Sequence, residues 1–140
     1  MAQTYSMYTD GGSRGNPGPA AAGAVLYGKK GEVLGEVSKA LGKMTNNQAE
    51  YMALILGLKK AKKLNIKSIT SFLDSELIVK QLNGEYKVKN EGMKVLFEEV
   101  TDLTQEFKSI SFKHIPRTKN KYADALVNKA LDKKDRKRKK

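Results

Sequence analysis

Four carboxylates, Asp10, Glu50, Asp74 and Asp124, carry the strongest claim to chemistry in this chain. Asp10 closes one β-prone stretch and Asp74 follows another, while Glu50 and Asp124 fall in the early turns of two helical segments. In open sheets, sites form outside the carboxyl ends of central strands, which is where Asp10 and Asp74 would converge. Clustered carboxylates repel, so one or more must take up a proton unless a cation joins them. With no cysteine and a single histidine, the donor set is oxygen-rich and favours Mg²⁺ or Mn²⁺ over Zn²⁺. Two such ions about 4 Å apart can clamp the attacking and leaving oxygens of phosphoryl transfer. Each acid taken alone could equally be a helix cap or dipole partner, and Asp10 before Gly11-Gly12 could be a plain turn residue.

The elements that would position these acids follow from pattern. Residues 4–9 alternate as a strand ending at Asp10, and a glycine- and proline-rich turn fills 11–19. Residues 20–27 and 33–40 flank Gly28-Lys29-Lys30-Gly31 as a hairpin. Thr45-Asn46-Asn47 can cap a helix starting near Gln48 and ending at Asn65, with cations gathered at its C-terminal end. A short strand over 68–73, a helix over 75–82, a helix over 91–107, a strand over 109–115 and a helix over 119–131 complete the map. Three strands followed by alternating helices and strands imply an α/β mixed sheet carrying helices, with parallel strands at its centre.

Composition bounds the partner. The chain has 140 residues, 39% of them hydrophobic, enough for one folded domain. Its formal net charge is +12. The last eight residues hold seven cations and Asp135, and so supply half of that charge. The rest remains basic without them, which points to a polyanionic partner. A catalytic domain over 1–132 and a disordered basic tail over 133–140 are expected. No apolar run reaches membrane-spanning length, and MAQTYSMYTDG lacks the basic-then-apolar order of a signal peptide. A cytoplasmic monomer with no membrane partner is expected.

The sequence around the four acids adds more. YTDGGSRGNPGPAAAG (8–23), TNNQAEYMALILGL (45–58), FLDSELIVKQLNG (72–84) and HIPRTKNKYADALVNKA (114–130) together resemble the type 1 ribonuclease H family, in order and in spacing. The resemblance implies a ribonuclease H-like fold, a five-stranded mixed sheet flanked by helices. It implies an endonuclease that cuts the RNA strand of RNA–DNA hybrids and leaves 5′-phosphate and 3′-hydroxyl ends. Asp10, Glu50, Asp74 and Asp124 match the family's catalytic carboxylates. By resemblance, Asp10 bridges two Mg²⁺ (or Mn²⁺) ions when substrate is bound. Asp124 completes the ion at the attacking water, and Glu50 with Asp74 the ion at the leaving O3′.

Further assignments rest on the same resemblance. His114 matches a mobile catalytic histidine that shuttles a proton or aids product release. Gly11, Gly12, Asn16, Asn46, Asn47 and Gln48 match contacts to the RNA strand, where small residues let backbone approach and amides meet 2′-hydroxyls. Lys43 and Thr45 match a pocket for a phosphate of the DNA strand, and Ser75 the edge of the site. Helix caps and loop chemistry explain several of these residues as well. The glycine loop matches neither GxGxxG nor GK[ST], so no nucleotide cofactor is indicated. The chain departs from the family in one place: a basic, tryptophan-bearing helix found in many relatives is replaced by NGEYKVKN (83–90), and there is no tryptophan. Tyr86, Lys87, Lys89 or the basic tail are the candidate substitutes for that handle. Duplex RNA is retained as a second candidate partner.

Overall fold

The computed structural model describes the backbone of residues 5–138 and the side chains of residues 5–135. Five strands form one sheet in the order β3-β2-β1-β4-β5, with β1 Tyr5–Ser13, β2 Gly18–Tyr27, β3 Val33–Met44, β4 Ser68–Leu73 and β5 Ser109–His114. The first three are antiparallel neighbours. β4 joins β1 in parallel and β5 joins β4 in parallel. The expected mixed sheet is therefore present, with its parallel pair β1–β4 at the centre. Four α-helices accompany it: α1 Asn46–Lys63, α2 Glu76–Leu82, α3 Glu91–Thr104 and α4 Lys121–Arg138.

α1 is held at its start by a reciprocal cap. Thr45 Oγ1 accepts from Gln48 N at 3.2 Å, and Thr45 N donates to Gln48 Oε1 at 3.0 Å. Two orphan donors are thereby satisfied at once. The helix then buries Leu54, Ile55, Leu58 and Ala61 in the main core with Met7, Leu26, Leu73 and Val100. Side chains alternate across a strand, so Met7 and Thr9 face α1, whereas Tyr8 and Asp10 face the opposite layer. There Ala21 packs with Val127, Ala130 and Leu131 of α4. No helix among the described residues is long and apolar enough to cross a membrane.

Two glycines set how closely the helices approach Asp10. A Cβ on Gly11 would lie 2.2 Å from the carbonyl oxygen of Ala49 in α1. A Cβ on Gly23, the cross-strand partner of Asp10, would lie 2.4 Å from the carbonyl oxygen of Ala123 in α4. Both contacts are with backbone, which cannot swing away.

Several bounds differ from the sequence pattern. β1 continues past Asp10 to Ser13 because β2 pairs with it that far. β3 runs to Met44 instead of stopping at Ala40, because a register shift opposite Ala20/Ala21, with Gly42 at φ 81°, lets the ladder resume. α3 ends at Thr104, three residues before Phe107. The basic end also differs from the pattern, which sets a tail apart from Lys133. α4 runs unbroken through the expected boundary at 132/133 to Arg138. Arg14, on the turn between β1 and β2, reaches Asp132 at 2.6 Å and Asp135 at 2.5 Å and fastens that part of the helix. Lys139 and Lys140 lie outside the described residues.

A contrast between glycines tests this packing. Gly23→Ala should destabilise the protein by about 1–3 kcal/mol, as overpacking does. Gly12→Ala, whose Cβ would find nothing nearer than 3.9 Å, should stay within about 0.5 kcal/mol of the parent. Urea unfolding with an unchanged m-value reads both, and equal midpoints for the two variants would contradict the contact.

Candidate active site

Asp10 is the first residue of β1 beyond its ladder with β4, whose last pair is Thr9–Leu73. Asp74 leaves β4 one residue after Leu73. Two neighbouring parallel strands thus deliver carboxylates side by side where their shared ladder stops. Glu50 comes from the second turn of α1, and the Gly11 N–H donates to its Oε1 at 2.7 Å. Asp10, Glu50 and Asp74 each offer an oxygen within 4.8 Å of the others. Asp124, in the first turn of α4, is not part of that trio. It lines the same 390 Å³ cleft and lies close enough to Asp10 to act on its carboxyl.

Burial makes this proximity costly. Asp10 is 9% exposed and Glu50 6%. Burial above all, with the charge of Asp74 and the nearness of Asp124, pushes the Asp10 carboxyl from 3.8 up to about 7, although the nearness of the Glu50 carboxyl works the other way. Burial and then Asp10 itself drive Glu50 well above the usual carboxylate range, against the Gly11 N–H that favours its anion. Glu50 Oε2 is buried with no hydrogen-bond partner. An all-oxygen donor set, uncompensated negative charge and an unpartnered buried oxygen together suit a hard divalent cation.

Asn120 is the residue that sequence reasoning missed. It is 1% exposed, and its Nδ2 donates to Thr9 O at 2.8 Å and to Asp74 Oδ2 at 2.9 Å. One amide therefore ties the end of β1 to the acid after β4. Its backbone carbonyl takes the Asp124 N–H at 3.1 Å, the first bond of α4. A polar residue at a helix start reads as a simple cap, so nothing in the pattern separated the two roles. Arg117, Asn128 and Arg14 also line the cleft and were not singled out. Asn128 Nδ2 lies 3.4 Å from Asp124 Oδ2.

The remaining expected site residues divide in two. Gly11, Gly12, Asn46, Asn47 and Ser75 line the cleft with the acids. Of these, Gly11 has committed its N–H to Glu50, and Ser75 Oγ caps α2 by accepting from Ile78 N. Asn46 Oδ1 accepts from Ser13 N at 2.9 Å, and Asn46 N donates to Asn16 Oδ1 at 3.0 Å, which joins the β1–β2 turn to α1. Asn16, Lys43, Thr45, Gln48 and His114 are not in the cleft wall. Thr45 and Gln48 form the helix cap, Lys43 is exposed on β3, and His114 is exposed on β5 in register with Leu73.

A family model described as reverse transcriptase-like matches residues 8–130. A ribonuclease H of Pseudomonas putida is 33% identical over 147 residues, covering 94% of this chain and 96% of the relative. The chain belongs to the type 1 ribonuclease H family. A bifunctional protein of Mycobacterium tuberculosis is 44% identical over 124 residues, 88% of this chain. The chain spans only 34% of that relative's length. Among solved structures of the family, LC11-RNase H1, from compost, in complex with an RNA/DNA hybrid is similar at 44% identity. Its TM-score is 0.89, and the match covers 93% of this chain and 98% of that one.

Two outcomes test the site. A carboxyl with a raised folded pKa holds a proton that the unfolded chain releases near 3.8. Its contribution to stability is therefore full below that pH and is lost as pH rises toward about 7. In chelator, the parent should lose on the order of 2–4 kcal/mol across that window relative to Asp10→Asn, and Mg²⁺ should restore it above the window. Parallel pH–stability curves for the two proteins would refute the assignment. For Asn120→Ala, the lost amide should cost about 1–3 kcal/mol and weaken Mn²⁺ binding about 10–100-fold. Calorimetric titration reads the affinity, and an unchanged value would leave Asn120 a purely structural residue.

Proposed function

We propose that this protein hydrolyses the RNA strand of RNA–DNA hybrids with two divalent ions, Mg²⁺ or Mn²⁺, leaving 5′-phosphate and 3′-hydroxyl ends. The observation that carries the proposal is the trio Asp10, Glu50 and Asp74, converging within 4.8 Å in a chain of this family. The solved relative bound to an RNA/DNA hybrid supports the substrate class.

Asp10, Glu50, Asp74 and Asp124 would hold the ions. Bound there, divalent ions supply Lewis-acid stabilisation of the charge that develops on the attacking and leaving oxygens. The chain's own part is to keep four acids in place: Gly11 N–H anchors Glu50, and Asn120 anchors Asp74. His114, exposed at the end of β5, is free to exchange a proton with the outgoing phosphate. Gly12 and Asn47 on the cleft wall face the RNA strand, and Gln48 keeps its amide N–H groups for 2′-hydroxyls, since only its oxygen is used by the Thr45 cap. Asn16 and Asn46 brace each other beside that strand. Lys43 and Thr45 meet a phosphate of the DNA strand.

End-labelled hybrid, duplex RNA and duplex DNA, each with Mg²⁺, with Mn²⁺ and with chelator, test the proposal. Hybrid should be cut only with a divalent ion, duplex DNA should stay intact, and any cutting of duplex RNA should be slower. Asp10→Asn should cut hybrid at least about 10³-fold more slowly while binding it with little change. His114→Ala should lower turnover about 10–100-fold, the scale of one general acid–base group. Equal rates on hybrid and duplex DNA, or an active Asp10→Asn, would overturn the proposal.

A further inference from the structure

A second concavity lies away from the acids, between β3 and α4. At 680 Å³ it is larger than the acid cleft, and it is lined by Ser38, Lys39 and Ala40 from the strand and by Lys129, Ala130, Lys133 and Lys134 from the helix. Two small alanines and four lysines make up most of that lining. No acid lines it, and none of the four lysines takes part in the ion pairs found among the described residues. The acids of the same helical stretch are engaged elsewhere, because Asp132 and Asp135 pair with Arg14. This stretch of α4 thus sorts its charges: Asp132 and Asp135 toward the β1–β2 turn, Lys129, Lys133 and Lys134 toward β3. The positive charge of the groove is uncompensated.

The groove also has a direction. Lys134 is shared with an adjoining hollow formed by Gly18, Pro19, Ala20, Gly42 and Lys43. That hollow borders the β1–β2 turn, whose Asn16 is bonded to Asn46 on the rim of the acid cleft. A path therefore leads from the acid cleft, over the turn, into the lysine groove.

We infer that the β3–α4 groove is a second nucleic-acid contact, which seats backbone phosphates of a hybrid extending beyond the acid cleft. Lysine ammonium groups are flexible point charges that suit phosphates without reading sequence. The groove would take over the gripping role of the tryptophan-bearing helix that this chain lacks. This inference rests on the hydrolytic reading for its substrate, and on the groove's charge and position for its site.

The test uses the full chain and a variant carrying Lys39→Gln, Lys129→Gln, Lys133→Gln and Lys134→Gln. Binding is measured by fluorescence polarisation in chelator over a range of salt, with a long hybrid of about 24 base pairs and a short one of about 8, at 3.4 Å of axis per pair. On the long hybrid, the variant's slope of log affinity against log salt should fall by about 2–3 units, at close to 0.9 per phosphate neutralised. On the short hybrid, affinity and Mg²⁺-dependent turnover should match the parent. The corresponding fourfold Lys→Arg protein should keep the parent slope, which separates charge from misfolding. An unchanged slope on the long hybrid, or equal losses on both lengths, would overturn the inference. Binding is read without turnover: a parent that shows the groove-dependent slope but cuts nothing overturns the hydrolytic reading alone. A parent that cuts hybrid while the slopes coincide overturns the groove alone.

Discussion

The backbone of α1 lies where any side chain at position 11 would stand. That contact governs the site, since only a strand without a Cβ there lets Glu50 come down beside Asp10. The same approach aims the Gly11 N–H at the Glu50 carboxylate. On the other face, Gly23 does the equivalent for α4 and brings Asp124 alongside. Asp10 is therefore pressed between two helices that dock on opposite sides of one sheet, at the point where the β1–β4 ladder stops.

Such packing concentrates negative charge where water is scarce. Charged carboxylates in a low-dielectric corner repel strongly, and protonation or a cation must relieve them. The protein favours the cation by what it provides around the acids. Asn120 and Gly11 supply hydrogen bonds to anionic oxygens, which stabilise ionised carboxylates. Among the described residues no cation is ion-paired with the four acids: Arg14, on the cleft wall, is drawn to Asp132 and Asp135, and Lys129, Lys133 and Lys134 of α4 line the groove beside β3. Positive charge thus stands ready for a polyanion without neutralising the acids.

Much of this could be read from the residues. Alternation gave the strands that end near Asp10 and Asp74, and the Thr45 cap placed Glu50 in the early turns of α1, so four acids were visible as a group before any geometry. Other features had no local sign. Asn120 looks like any helix cap, and its bonds to Thr9 and Asp74 span 111 and 46 residues of sequence. The β3 strand beyond Ala40 was hidden because the shift at Gly42 breaks the period-two pattern. The basic end resembled a solvated charge run, yet the pairing of Arg14 with α4 crosses 118 and 121 residues, a contact that no local window contains. Thr45 and Gln48 matched substrate contacts by resemblance, and the structure places both in the α1 cap.

The central claim is that the four acids act through divalent ions on the phosphate being cut. The most direct measurement is single-turnover cleavage of a hybrid carrying a sulfur in place of one non-bridging oxygen at the scissile phosphate. Sulfur is a soft donor that Mg²⁺ accepts poorly and Mn²⁺ accepts better. The account predicts slow cleavage of one sulfur isomer in Mg²⁺, with the rate recovered in Mn²⁺. Equal rates for sulfur and oxygen substrates in Mg²⁺, with no change on going to Mn²⁺, would contradict it.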